Sequence, residues 1–182
     1  MGPIKIIHSR FVPLPLENVD TDQIIPARFL KATTREGFGK NLFRDWRYVD
    51  NDDTNLKKDF VLNQNEYEGK ILVAGKNFGC GSSREQAPIA LKAAGVSVVI
   101  ANYFARIFFR NAINIGLPVL EIPDHDIQNG DELEIDLLNG IVKNLSQNKK
   151  YNATKLPKVM LDIMQAGGLV NYLLKHKDYI LE

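Results

Sequence analysis

From Ile71 to Ile122 the chain alternates short apolar runs with helical patterns, and few folds accommodate that rhythm. Ile71-Leu72-Val73-Ala74 precedes a helical stretch around Ala87 to Ala94, closed by Gly95. Val96 to Ala101, apolar except for Ser97, precedes a second helix, Phe104 to Asn114, ended by Gly116. Leu117 to Ile122 is a third strand. Strands this short and this apolar are buried on both faces, which means parallel pairing with a layer on each side. Pro88 has no amide proton, so the first of these helices must begin close to it. A length of 182 residues suits one domain, and no repeat or linker divides 1–182.

The flanks are more varied. Ile4 to Val12 reads as a strand ended by Pro13 and Pro15. Asn18 to Pro26 reads as a polar turn before a helix, and Ala27 to Lys31 as one helical turn. Residues 32–41 are polar and glycine-interrupted, hence an exposed loop, whereas Phe43, Trp46 and Tyr48 should pack on the body. Asp50 to Asp59 is the segment most prone to disorder, and its acidic residues lack the spacing of a calcium loop. Asn139-Gly140 between Asp131–Leu138 and Ile141–Leu145 predicts a hairpin with a type I′ turn. Pro157 to Gln165 is a helix stopped by Gly167-Gly168, and Val170 to His176 a last short one.

Composition removes several functions. The net charge is +1, and Lys57-Lys58 and Lys149-Lys150 are isolated pairs that read as solvated loop charges, so nucleic acid is not an expected partner. No run approaches the roughly 18 apolar residues of a membrane span, and no secretory h-region opens the chain. The one cysteine excludes an intrachain disulfide and fits a reducing, cytoplasmic setting. One thiolate cannot by itself hold an iron–sulfur cluster or a structural zinc, so no metal is assigned to this chain. His8, His125 and His176 stand far apart in unrelated contexts.

The stretch that carries chemistry is Lys76-Asn77-Phe78-Gly79-Cys80-Gly81-Ser82-Ser83-Arg84-Glu85, between the first apolar strand and the first helix. Glycines let the backbone approach a ligand, the unpaired amides of a helix start favour an anion, and Arg84 offers a planar fork for a carboxylate. It is neither a Walker A loop nor a dinucleotide fingerprint, since Arg84 stands where the third glycine belongs. Ser83 with Gln86, or Ser82 with Glu85, also fits a capping box, a reading compatible with anion binding. Cys80 between two glycines is a candidate thiol nucleophile only if its pKa is lowered.

Three stretches taken together resemble a known family. Asn18-Val19-Asp20-Thr21-Asp22-x-Ile24-Ile25-Pro26, Gly37-Phe38-x-x-x-Leu42-Phe43-x-Asp45-Trp46-Arg47 and Asn77 to Glu85, in this order, are similar to the small subunits of bacterial 3-isopropylmalate dehydratase, in the aconitase superfamily. Phe104-Ala105-x-Ile107-Phe108 fits the same pattern. The resemblance implies an α/β fold, the swivelling β/β/α domain with a mixed sheet flanked by helices. It implies a hydro-lyase subunit of leucine biosynthesis, active only with a large subunit that holds a [4Fe–4S] cluster. The reaction would be isomerisation of 2- and 3-isopropylmalate through 2-isopropylmaleate. By the same resemblance Ser82 is the catalytic base and Asp22 supports the site's hydrogen bonding. Ser83 and Arg84 bind substrate carboxylate, and Asp20, Thr21, Gly79 and Gly81 shape the loops. Specificity is expected from Phe29, Leu30, Lys31 and Thr33, with the two apolar residues suited to an isopropyl group. Gln86 departs from the histidine common at its position. Two alternatives remain at this point: the small subunit of a related hydro-lyase acting on homoaconitate, citramalate or another 2-alkylmalate, and a stand-alone anion-binding module.

Overall fold

The computed structural model describes residues 7–30, 37–64 and 71–176. Seven strands form one sheet in the order β4-β3-β2-β1-β5-β6-β7. These are β1 (Ile7–Leu14), β2 (Ile71–Ala74), β3 (Val98–Ala101), β4 (Val119–Glu121), β5 (Glu132–Asp136), β6 (Ile141–Asn144) and β7 (Lys149–Asn152). β1 to β4 pair in parallel, as their two-faced apolar composition requires, and β5 to β7 are antiparallel.

β1 joins the two halves by splitting its length. Ile7 to Arg10 pairs with β5, and Phe11 to Leu14 pairs with β2. The strand was expected to stop before Pro13, yet Pro13 lies within it, opposite Val73. The split explains this: β5 has left β1 by Arg10, so Pro13 sits on a stretch paired on one side only, where a missing amide proton is tolerated. Ile4 to Ile6, the expected start, fall outside the described residues.

Two one-turn helices, α1 (Thr21–Ile24) and α2 (Arg44–Arg47), lie between β1 and β2. Alternate residues of the parallel strands feed two cores. Leu72, Ala74, Val99, Ala101 and Val119 face the longer helices α3 (Gln86–Ala93), α4 (Arg106–Asn114), α5 (Lys158–Gln165) and α6 (Leu169–His176). Ile71, Val73, Val98, Ile100 and Leu120 face Leu133, Ile135 and Val142 of the antiparallel strands. The result is three layers, β/β/α, with the parallel strands in the middle, and the mixed sheet flanked by helices that the resemblance implied. Among the described residues no helix is long and apolar enough to cross a membrane.

Two local expectations are corrected. The Asn139-Gly140 connection is not a two-residue type I′ turn: Asp136 pairs with Ile141, leaving four residues in the turn, and only Gly140 (φ 64°) has a positive φ there. The Asp136 carboxylate accepts from the amides of Leu138 (3.1 Å) and Asn139 (3.1 Å), which holds a wider turn and removes the need for a left-handed Asn139. Lys149-Lys150 is not a loop pair but the start of edge strand β7, reached through Asn148 at φ 52°. Lys149 ion-pairs with Asp126, an attachment that charge counting could not reveal.

Segments between β1 and β2 also differ from a simple loop reading. Residues 31–36 lie outside the described residues, but in the remainder of the expected exposed loop Phe38 is buried. Asp50 to Asp59 is exposed and held in turns by Val49 N–H to the Asn55 carbonyl (2.9 Å) and Lys57 N–H to the Arg47 carbonyl (2.8 Å). The aromatic expectation holds: Phe43 stacks on Trp46 at 5.3 Å and leans on Phe60 at 6.0 Å.

Candidate active site

Two loops more than fifty residues apart in sequence meet at the carboxyl ends of β1 and β2. Each is fixed before it carries any chemistry. The first contains the one-turn helix α1 (Thr21–Ile24), capped by Asp20, whose carboxylate accepts from the amides of Asp22 (2.7 Å) and Gln23 (2.8 Å). Gln23 returns a bond to the Asp20 amide (2.9 Å), completing a capping box. The box therefore exists, but at Asp20 and not at the serines. Helix α3 starts only at Gln86, with Glu85 as an N-cap that makes no side-chain bond. The expected placement of the serines at a helix start is thus corrected: Ser82 and Ser83 lie in an exposed turn ahead of it, closed by the Arg84 amide donating to the Ser82 carbonyl (2.8 Å).

The second loop is fastened to the core. Phe78 is fully buried, edge-on to Phe108 at 5.3 Å and to Phe104 at 6.2 Å. Gly79 (φ 78°) lies so close to Phe108 that a Cβ would fall 2.2 Å from its ring. Only glycine accepts both that conformation and that contact. The loops are then joined by backbone bonds, Asn18 N–H to the Lys76 carbonyl (2.8 Å), Gly79 N–H to Val19 (2.7 Å) and Thr21 N–H to Cys80 (2.9 Å). Asn77 adds its side-chain amide to Asn18 Oδ1 (3.0 Å).

What this joint presents is a hydroxyl, an arginine fork and free amides. Thr21 is buried; its Oγ1 donates to the Ser82 carbonyl (3.1 Å) and stands 3.3 Å from Ser82 Oγ. Sequence reasoning gave Thr21 only a loop-shaping part, and nothing in its residue type signals that its hydroxyl reaches the serine. Arg84 Nη1 donates to Asp22 Oδ1 (2.5 Å) and to the Ile25 carbonyl (3.4 Å), leaving Nη2 and Nε uncommitted among the described residues. Asp22 accepts in addition from the Ala27 amide (2.9 Å). That amide, with Arg84 beside it, holds the Asp22 carboxyl below its ordinary pKa, so it is an anion that orients Arg84. Its bonds go to Arg84 and Ala27; the direct contact with Ser82 comes from Thr21. Among the described residues, no acceptor pairs with the amides of Gly81, Ser82 or Ser83. Gly81 (φ 87°) approaches Asp20 and Thr21, its virtual Cβ 3.4 Å from Asp20 Cβ.

The remaining candidates divide. Phe29 and Leu30 end a single 3-10 turn, Ala27–Phe29, just after Asp22, and both are half-buried against the main core. The Phe29 ring lies under the guanidinium groups of Arg28 (4.8 Å) and Arg44 (5.6 Å). Arg28, which sequence reasoning passed over, pairs with Asp45 and adds positive charge near Asp22. Lys31 and Thr33 fall outside the described residues. Cys80 is no activated thiol. Burial, and after it the Asp20 charge, pushes its pKa up, and its Sγ donates to the Asn18 carbonyl (3.3 Å). Among the described residues no group of three His, Cys, Asp or Glu could hold a metal ion, and a single cysteine does not fit a three-thiolate cluster.

Comparison with known proteins matches this geometry to relatives. The aconitase C-terminal domain family matches residues 4–125. The chain is 52% identical over 158 residues to the 3-isopropylmalate dehydratase small subunit of Aquifex aeolicus, covering 86% of this chain and 88% of that one. It is 46% identical over 183 residues to the small subunit of the same name from Cytophaga hutchinsonii, covering 96% and 90%. Among solved structures it is similar to 3-isopropylmalate dehydratase from Methanocaldococcus jannaschii, with a TM-score of 0.75, 39% identity, and 94% and 95% of the two chains covered.

Proposed function

The chain belongs to the family of 3-isopropylmalate dehydratase small subunits, built on the aconitase C-terminal domain, and on that premise we propose that it supplies the base-bearing half of an isopropylmalate-isomerising active site. The large subunit would bring the [4Fe–4S] cluster and, with it, Lewis-acid assistance to the departing hydroxyl. This chain's part is proton transfer and carboxylate recognition. Ser82, as the alkoxide, takes the proton from the carbon next to a substrate carboxylate. The C–H electron pair becomes the new C=C bond of 2-isopropylmaleate as the hydroxyl departs from the neighbouring carbon. Rehydration in the other orientation returns the proton from Ser82.

A serine is a weak base unless its anion is stabilised, and the surroundings of Ser82 answer that need. The Thr21 hydroxyl at 3.3 Å can rotate its single proton from the Ser82 carbonyl to the alkoxide. The amides of Gly81, Ser82 and Ser83, unpaired among the described residues, add donors, and the Arg84 guanidinium, held by Asp22, offers to a substrate carboxylate the edge left uncommitted among those residues. The convergence of Thr21, Ser82 and Arg84 is the observation that carries this reading. The half-buried Phe29 and Leu30 favour an alkyl substituent over a third carboxylate.

The test is reconstitution. This chain is mixed with an anaerobically prepared, cluster-loaded large subunit, and formation of 2-isopropylmaleate from 3-isopropylmalate is followed by ultraviolet absorbance. Activity is expected only in the mixture, and Ser82→Ala should abolish it. Activity retained by Ser82→Ala would remove Ser82 as the base. Binding of malate-like anions by the isolated chain, with no activity in the mixture, would favour the stand-alone module instead.

A further inference from the structure

In the helical layer, α3, α4 and the start of α6 enclose a groove of roughly 660 Å³ that none of Thr21, Asp22, Ser82, Ser83 and Arg84 lines. Helix spacing builds its walls. Glu85, Ile89 and Lys92 are four and three residues apart and share one face of α3, and Asn111, Asn114 and Ile115 share one face of α4. A volume of this order is what small-molecule sites offer.

The groove holds polar groups that the chain leaves unsatisfied. Asn111 is only 8% exposed, yet its side-chain amide has no partner among the described residues. Nor is that amide sealed off, since the sealed and unpartnered side-chain atoms among those residues belong to Arg44 and His125; it opens onto the groove that Asn111 lines. An unpaired amide at that depth is costly unless something occupies the space in front of it. Beside it the ends of two helices converge. A Cβ on Gly168, the residue before α6, would fall 2.7 Å from the Asn114 carbonyl oxygen at the end of α4, and one on Gly116 would fall 2.6 Å from the Gly167 carbonyl carbon. Among the described residues, the Leu169, Val170 and Asn171 amides that begin α6 have no acceptor, and the Asn114 carbonyl has no donor. The next carbonyl, that of Ile115, already takes a cation, the Lys92 ammonium at 2.6 Å.

A helix start carries unpaired donors and the positive end of its dipole, and a helix end carries unpaired acceptors and the negative end. We propose that this groove binds an α-amino acid with an aliphatic side chain. Its carboxylate accepts from the α6 amides and the Asn111 side-chain nitrogen, and its ammonium donates to the Asn114 carbonyl and Asn111 Oδ1. Its side chain lies on the half-buried Ile89 and Leu169. A simple anion would leave the Asn114 carbonyl and the Asn111 oxygen unpaired, and a simple amine would leave the α6 amides unpaired, so the zwitterion is the occupant that satisfies both sets. The site is connected to the serine loop by sequence, because Glu85, which lines the groove at the start of α3, directly follows Arg84. The inference does not depend on the function proposed above.

The experiment titrates the full chain with L-leucine and follows backbone amide shifts by NMR. The comparison ligands are 4-methylpentanoate, which lacks the ammonium, and isopentylamine, which lacks the carboxylate. Leucine should give saturable shifts at Leu169, Val170 and Asn171, and each analogue should bind about tenfold more weakly or worse. Asn111→Leu keeps the size of the side chain, removes its donor and acceptor, and should weaken leucine by a similar factor. Val170 is 70% exposed in the first turn of α6, so Val170→Asp complements the helix dipole while it repels a carboxylate. That variant should lose leucine binding by about tenfold or more with its thermal midpoint unchanged or raised, and it serves even where Asn111→Leu does not fold. Val170→Asn, similar in size and uncharged, should bind as the unaltered chain does, and so should Arg84→Ala. No saturable shift up to about 10 mM leucine would overturn the site. Equal affinity for leucine and 4-methylpentanoate would overturn the zwitterion. Binding lost in Arg84→Ala but kept in Val170→Asp would place the ligand on the serine loop and overturn the groove.

Discussion

Thr21 gives the sharpest test of the proposal that Ser82 acts as the base. Its side chain is buried, and its single hydroxyl proton serves the Ser82 carbonyl at 3.1 Å with Ser82 Oγ only 3.3 Å away. In the resting state the proton belongs to the carbonyl; when Ser82 is ionised, rotation about one bond delivers it to the alkoxide. Thr21→Val keeps the shape and removes the proton. Because Ser82 is exposed, water can replace the lost bond to its carbonyl, and the stability cost should stay near 1 kcal/mol, the low end for a lost hydrogen bond. A hydrogen bond to a charged oxygen is worth about 1.5–3 kcal/mol. Removing it should therefore lower kcat by roughly ten- to 150-fold, at 1.36 kcal/mol per decade. Thr21→Ser retains the proton and should recover most of the rate. The assay is the reconstituted reaction at saturating partner, with thermal midpoints measured alongside. If Thr21→Val keeps kcat within about twofold, or if Thr21→Ser loses as much as Thr21→Val, the hydroxyl is not stabilising the base.

Two further outcomes follow from groups at and away from the site. Cys80→Ser should keep most activity, and the native thiol should react with iodoacetamide near neutral pH more slowly than free cysteine, because burial and the Asp20 charge hold its proton on; rapid alkylation that abolishes activity would contradict the geometry. Tyr151, donating to Asp126 at 2.5 Å, has its pKa pushed up to about 12 by burial first and then by that carboxylate. A pKa raised in the folded state makes the neutral phenol a stabiliser below its ordinary value near 10, and that contribution is lost as pH rises toward 12. The thermal midpoint should fall between these values more steeply for the native chain than for Tyr151→Phe, and parallel curves would show that the β7 edge does not depend on this bond.

The architecture was legible where side-chain pattern is a direct consequence of burial. Ile71 to Ala74, Val98 to Ala101 and Val119 with Leu120 are apolar because each strand lies between two layers, and parallel pairing followed. Pattern failed where the deciding partner was remote. Lys149 looked like a loop charge because Asp126, its ion-pair partner, is 23 residues away, and Asn139 looked left-handed because the competing Asp136 carboxylate leaves no mark on periodicity. The candidate site shows the same division. Glycines and an arginine after a strand indicated an anion-binding turn from chemistry alone. The family resemblance separated the serine from a helix cap, and the Thr21–Ser82 contact needed three dimensions, since its members are 61 residues apart.

The rigidity of the serine loop and its exposure belong to one design. Gly79 rests on Phe108, Phe78 is wedged against Phe104 and Phe108, and the α1 turn is capped by Asp20 before it touches the loop. None of these contacts requires a ligand or a second chain, so Thr21, Ser82 and Arg84 are set by this chain's own core. A base that must be stabilised at the moment it forms gains from donors already in place, because reorganising them during the reaction would cost part of what they contribute. Among the described residues nothing excludes water from Ser82 and Ser83, which are exposed. On the proposed function, orientation is built into the fold and desolvation is left to assembly. A site divided in that way would stay inert while the chain is alone and gain its reactive serine only when a covering surface arrives.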